Sequence, residues 1–155
     1  MLKMNNAVGV GIIGSGFMGQ TYARTVQSLV QGAVLAGVAE GSRAPKLAQD
    51  YGVRCFASYK DLAASDDIDL ICVGTPHAQH AEHALAALRA GKHVLIDKPM
   101  CTRVEDCDAI LDACRAKGLH CGVTFTQRNR IGFVKAKEQL DSGALGRVLH
   151  IRTYQ

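Results

Sequence analysis

No apolar run in this 155-residue chain approaches the roughly 20 residues that cross a bilayer. Near the start, Gly9 and Gly11 break up a short apolar segment preceded by a single lysine, too short for the core of a secretion signal. These absences set the expectation of a soluble, cytoplasmic protein with no membrane partner. Blocks of like charge are also missing: 18 Lys and Arg are scattered among 14 Asp and Glu, for a net charge of +4. That mild surplus suits an anionic small ligand and lacks the basic stripe that nucleic acid requires, so no nucleic-acid partner is expected. No internal repeat or low-complexity tract is present.

Six cysteines are present, but no two stand as C-x-x-C, which removes the common zinc and redox-motif readings. Cys72 sits in an apolar run, and Cys107 and Cys114 lie along one helical stretch. Reduced thiols in a reducing compartment are expected. His77, His80 and His83 recur every three residues, yet on a helix i+6 has rotated away from i, and no Asp or Cys joins them at ligand spacing. No metal is expected there.

With 48% apolar residues the chain can bury one good core but hardly two. Buried-type strands are expected at 8–13, 34–39, 53–56, 68–74, 93–96 and 119–124, each followed by a helical pattern. The first helix carries Met18, Tyr22, Val26, Leu29 and Val30 and closes near Gly32. Pro45 opens the second, which stops at Gly52. Ser58 with Asp61, and Thr102 with Glu105, have the spacing of capping boxes. Gly91 ends the long helix through Ala81, Ala84, Leu85 and Leu88. Val104, Cys107, Leu111 and Cys114 mark the expected buried face of the last helix, which Gly118 ends.

Strands alternating with helices define an α/β fold, a doubly wound parallel sheet in the order 3-2-1-4-5-6, because parallel neighbours need right-handed crossovers. This fills a first domain, residues 1–124. Residues 125–155 read as a connecting helix over 133–140, a turn at Ser142-Gly143, and a strand from 147 onward. In that strand Leu149 and Ile151 alternate with His150 and Arg152, as in a sheet with one wet face. It reads as the first strand of a second domain.

The first strand runs directly into Gly14-Ser15-Gly16-Phe17-Met18-Gly19, a G-x-G-x-x-G turn. Gly14 permits the tight turn, Gly16 lets the backbone approach a pyrophosphate, and Gly19 allows close helix packing, so the six residues are candidate dinucleotide ligands. Thr75 and Pro76, after the fourth strand, should meet this turn where the strand order reverses. Glu40 ends the second strand, placed to accept the adenosine ribose hydroxyls and repel a 2′-phosphate, which favours NAD. Ser42 and Arg43 just beyond it could hold that phosphate, so NADP stays open.

The glycine turn, Glu40, Tyr59-Lys60-Asp61-Leu62, the run from Asp69 to Pro76, His80, Ala90-Gly91-Lys92-His93-Val94 and Asp97-Lys98-Pro99 together resemble the glucose-fructose oxidoreductase/inositol dehydrogenase (Gfo/Idh/MocA) family. The resemblance implies a Rossmann domain followed by a larger domain that supplies substrate contacts and drives homo-oligomer formation. It implies hydride exchange between a nicotinamide and a hydroxyl carbon of a sugar, cyclitol or related polyol. Lys98 matches the family's lysine beside the reacting hydroxyl, as the catalytic residue; Asp97 stands where Glu is usual, and His80 matches a histidine near the cofactor. Arg128 and Arg130, with Gln127, fall where the family places polar residues. The family's catalytic histidine and neighbouring carboxylate belong to the second domain, so this chain alone is expected to bind cofactor without efficient turnover. The alternative is a non-catalytic nucleotide-binding sensor or scaffold.

Overall fold

The computed structural model describes residues 7–153. They form two compact units that divide between Thr124 and Phe125. In the first unit β1 (Val8–Ile13), β2 (Ala33–Ala39), β3 (Arg54–Cys55), β4 (Leu70–Val73), β5 (His93–Ile96) and β6 (Cys121–Val123) make one parallel sheet, ordered β3-β2-β1-β4-β5-β6. Between them run α1 (Phe17–Ser28), α2 (Ala44–Tyr51), α3 (Tyr59–Ala63), α4 (His80–Arg89) and α5 (Val104–Lys117).

Side chains of a strand alternate between faces, and two separate cores result. Val10, Ile12, Val38 and Cys72 pack with Tyr22 and Val26 of α1 and Leu47 of α2. Ile13, Ile71, Val73 and Ile96 pack with Leu62 of α3, Leu88 of α4 and Ile110 of α5. Burial on both faces is what the continuous apolar runs of a parallel sheet require.

Register decides where the chemistry sits. Ile13 pairs with Ala39 and Val73, Val73 with Ile96, and Ile96 with Val123, so four neighbouring pairs end in one row. The ladder continues one residue further: the amides of Gly14, Gly74, Asp97 and Thr124 donate to Ala39, Ile13, Val73 and Ile96. Gly14, Glu40, Gly74, Asp97 and Thr124 are therefore brought to a single carboxyl-end edge.

Several local expectations need correction. Helix α1 ends at Ser28, leaving Leu29 and Val30 outside it and exposed, because the chain turns toward β2 before another helical turn can form. Ser58 does cap α3, accepting the Asp61 amide, but Thr102 caps nothing: α5 opens after an extended Arg103 with no side-chain cap. The buried face of α5 is Ile110 and Cys114, with Cys107 half-buried; Val104 is 73% exposed and Leu111 also faces solvent. The 3.6-residue repeat starting at Cys107 reaches Ile110, which an apolar count starting at Val104 bypasses. Strands β3, β4 and β6 are shorter than expected.

In the second unit a short 3₁₀ turn, Thr126–Asn129, precedes α6 (Ile131–Asp141). The strand expected from 147 is not formed among the described residues, and Leu149 is 85% exposed. An extended segment with no neighbouring strand has no ladder to hold it. Tyr154 and Gln155 lie outside the described residues. No helix among the described residues is long and apolar enough to cross a membrane.

Candidate cofactor site

The glycine turn closes against the fourth strand's exit. Gly14 has φ +106°, and a Cβ there would lie 2.7 Å from the Gly74 carbonyl, so the two loops touch where the strand order reverses. At Gly19 a Cβ would come within 1.9 Å of the Gly14 oxygen, which is how closely α1 packs onto its own entry turn. Gly16 differs from both, since apart from its own chain neighbours no protein atom lies within 4 Å of its Cβ position. That open space faces the first turn of a 12-residue helix that carries no acid there. Unsatisfied amides and the positive end of the dipole make it suited to a diphosphate, and the residues present fit a dinucleotide.

Around this turn the candidate residues divide into surface and support. Phe17 is 80% exposed and Met18 half-buried, its Cβ beside Gly74. Ser15 is buried beneath Gly41, whose Cβ would strike the Ser15 hydroxyl, so the second strand's exit lies directly on the glycine turn. Glu40 takes a positive φ of 66°, unusual for a side chain with a Cβ. One of its carboxylate oxygens accepts the Tyr59 amide at 3.0 Å. Arg43 is exposed at the start of α2 and lines a groove with Gln20, Lys46 and Asp50.

At the crevice floor, the Thr75 hydroxyl meets His83 Nδ1 at 2.9 Å and Pro76, exposed, opens the 3₁₀ turn His77–Gln79. His80 is fully buried: its Nε2 faces the Thr75 carbonyl and its Nδ1 the Pro99 carbonyl, each at 2.9 Å. The structure thus puts His80 beneath the site, tying the two loops together. Lys98 is exposed at the exit of β5 and is joined to Pro99 by a cis peptide. Asp97 is turned toward Thr124, accepting its hydroxyl at 2.9 Å. The single Thr124 hydroxyl hydrogen is then committed, so Tyr22 donates to that oxygen, 3.2 Å away. Burial, reinforced by Asp97 against the pull of the Thr124 contact, pushes the Tyr22 phenol up to about 12.

A second polar chain reaches Glu40. The Tyr59 hydroxyl donates to Glu82 at 2.6 Å, and its ring lies 4.5 Å from that of His83. Burial lowers the His83 pKa, opposed by the nearby Glu40 and Glu82 carboxylates and assisted by His80. Tyr22, Thr124, Tyr59 and His83 escaped sequence reasoning as site residues; the alignment of strand ends was the signal that could have found Thr124. Gln127, Arg128 and Arg130 are exposed in the second unit. Among the described residues no group of three or more His, Cys, Asp or Glu is arranged to hold a metal ion.

A doubly wound sheet with an open glycine turn at its switch point defines a dinucleotide-binding domain. The chain belongs to the oxidoreductase family with an NAD-binding Rossmann fold (Gfo/Idh/MocA), whose model matches residues 8–125. It is 39% identical over 142 residues to inositol 2-dehydrogenase 3 of Saccharopolyspora erythraea, covering 90% of this chain and 42% of that protein. Levoglucosan dehydrogenase of Pseudarthrobacter phenanthrenivorans is 30% identical over 155 residues, covering 92% of this chain and 39% of that one. Scyllo-inositol dehydrogenase from Lactobacillus casei, solved with NAD(H) and scyllo-inositol, superposes with a TM-score of 0.84 at 25% identity, over 90% of this chain and 42% of its own. The chain thus spans less than half the length of these relatives.

Proposed function

We propose that the whole protein is an NAD-dependent dehydrogenase acting on a secondary hydroxyl of a cyclitol or sugar, with this chain as its cofactor-binding part. The observation that supports the reading is the carboxyl-end edge to which strand register brings Gly14, Glu40 and Asp97, with Gly16 and the exposed Lys98 close beside them in sequence. When bound, the nicotinamide supplies a two-electron acceptor for the hydrogen of the hydroxyl carbon. The α1 amides hold the diphosphate, and Glu40, oriented by the Tyr59 amide, takes the ribose hydroxyls. Lys98 donates to the reacting hydroxyl oxygen and stabilises the negative charge that grows there. Its neighbours Gly14 to Gly19, Thr75, Pro76 and Asp97 shape the crevice, while His80 holds the Thr75 and Pro99 loops in place.

The polyol class rests on the relatives' substrates. Residues 125–155 serve as the connection to a substrate domain, and the whole protein forms a homo-oligomer in the cytoplasm. Free thiols at all six cysteines suit a reducing compartment.

Calorimetric titration tests the cofactor assignment. NAD binds at least about tenfold more tightly than NADP, and Glu40→Ala narrows that gap; tighter NADP binding to the unaltered chain overturns it. In the whole protein, Lys98→Met lowers kcat about 10²-fold or more with NAD affinity nearly kept, and unchanged turnover rejects the role given to Lys98.

A further inference from the structure

At the exit of β2 the chain doubles back through two left-handed residues in succession, Glu40 at φ +66° and Gly41 at φ +89°. Glycine adopts this backbone freely, whereas for glutamate it is strained and has to be held by its surroundings. The half-buried Glu40 is held through its side chain, one carboxylate oxygen accepting the Tyr59 amide at 3.0 Å. Tyr59 is the first residue of α3, so its N–H is one of the donors that a helix cannot satisfy within itself. Ser58 takes the Asp61 amide of that first turn, and Glu40 takes the amide of Tyr59. Close by in sequence, Arg43 is exposed and forms no ion pair among the described residues.

We propose that the Tyr59 backbone amide is the positioning group that sets NAD over NADP: by anchoring the Glu40 carboxylate it keeps a 2′-phosphate from reaching Arg43. The inference rests on the assignment of this site to NAD and adds what enforces the choice. Charge alone does not enforce it. An unanchored glutamate turns out into water, where ions screen its repulsion of a phosphate. The guanidinium of Arg43 is then free to pair with that phosphate, a geometry that arginine favours. Anchored through one oxygen, the carboxylate keeps its other oxygen for the ribose hydroxyls, and its repulsion acts at a fixed place. Selectivity then belongs to the entry of α3 as much as to the acid.

The N–H can be deleted without rebuilding the helix. Proline is favoured at the first helical position, where its missing hydrogen has no partner within the helix and its φ is already helical. The residue before a proline prefers extended backbone, and Ser58 already has φ −148° and ψ 163°. Tyr59→Ala is the matched control: it also removes the ring, with its 4.5 Å approach to His83 and its hydroxyl bond to Glu82, but keeps the amide. Tyr59→Phe removes the hydroxyl bond alone.

Calorimetric titration of each variant with NAD and with NADP reads the ratio of the NADP to the NAD dissociation constant. That ratio should fall about fivefold or more in Tyr59→Pro relative to Tyr59→Ala, through tighter NADP binding. Adding Arg43→Ala to Tyr59→Pro should abolish the gain in NADP binding. Tyr59→Ala and Tyr59→Phe should keep the ratio within about twofold of the unaltered chain. General damage to the site weakens both cofactors alike and leaves the ratio unmoved. Should Tyr59→Pro fail to fold, exchanging Tyr59 for its α-hydroxy acid turns the same amide into an ester, removes the N–H with the ring in place, and should give the same fall. An unmoved ratio, where Glu40→Ala still lowers it, overturns the inference and leaves the NAD assignment standing. Tighter binding of NADP by the unaltered chain overturns both.

Discussion

The Asp97 carboxylate accepts the Thr124 hydroxyl at 2.9 Å, and these two residues are the first beyond the ends of neighbouring strands β5 and β6. Behind Thr124 stands Tyr22, 102 residues away in sequence, donating to the same oxygen. One hydroxyl therefore joins the first helix to the two last strands. Thr124→Val leaves both the buried phenol and the carboxylate without their partner, at an expected cost of about 1–3 kcal/mol in denaturant unfolding. Thr124→Ser should recover most of it.

Tyr22 also makes an alkaline prediction. Its folded pKa of about 12 lies above the ordinary 10.0, so the unfolded chain loses this proton first. The contribution is complete below pH 10 and is lost as pH rises toward 12. Tyr22→Phe should remove that part of the alkaline slope in unfolding curves, while an unchanged slope would place the proton elsewhere.

Two of the fingerprint glycines, Gly16 and Gly19, should respond differently to alanine. Gly16→Ala puts a methyl in open space at an ordinary φ of −73°, so stability should stay within about 0.5 kcal/mol. NAD affinity should nevertheless fall about tenfold or more, because the methyl enters the space kept for the diphosphate. Gly19→Ala drives a methyl into the Gly14 carbonyl and should cost about 1–3 kcal/mol or more before any ligand is added. Equal loss of stability in both variants would contradict this division.

Acid should act through His83. Its folded pKa lies below the ordinary 6.5, so the unfolded chain takes up the proton first as pH falls. The stability it contributes is full above 6.5 and is lost below it until the folded group also protonates, with a slope of at most about 1.4 kcal/mol per pH unit. Thermal unfolding across pH 5 to 7 should therefore flatten in His83→Gln.

The strand order and the glycine turn were legible in the sequence because both depend on local punctuation: short apolar runs, Gly14 to Gly19, and Pro45 or Gly52 at helix ends. Features set by tertiary packing were not. Leu29 and Val30 continue an apolar pattern past the point where the chain leaves α1, and Val104 looks like a core residue until the face defined by Ile110 is seen. The strand expected near Leu149 has the right alternation but no neighbour among the described residues. In the site, Glu40 was readable from its position after β2, whereas the Tyr59 amide that orients it comes from α3. His80 was named as a cofactor ligand from its motif, yet burial and two carbonyl contacts place it underneath.

Both nitrogens of the His80 ring face carbonyl oxygens, and the ring has no surface open to water. Any hydrogen on that imidazole is consequently shut away from solvent exchange. Its nitrogen-bound resonance should persist in a proton NMR spectrum at ordinary temperature, where the ring signals of the exposed His77 and His120 are averaged into the water line. Watching that one resonance broaden would register the parting of the Thr75 and Pro99 loops before the sheet itself unfolds.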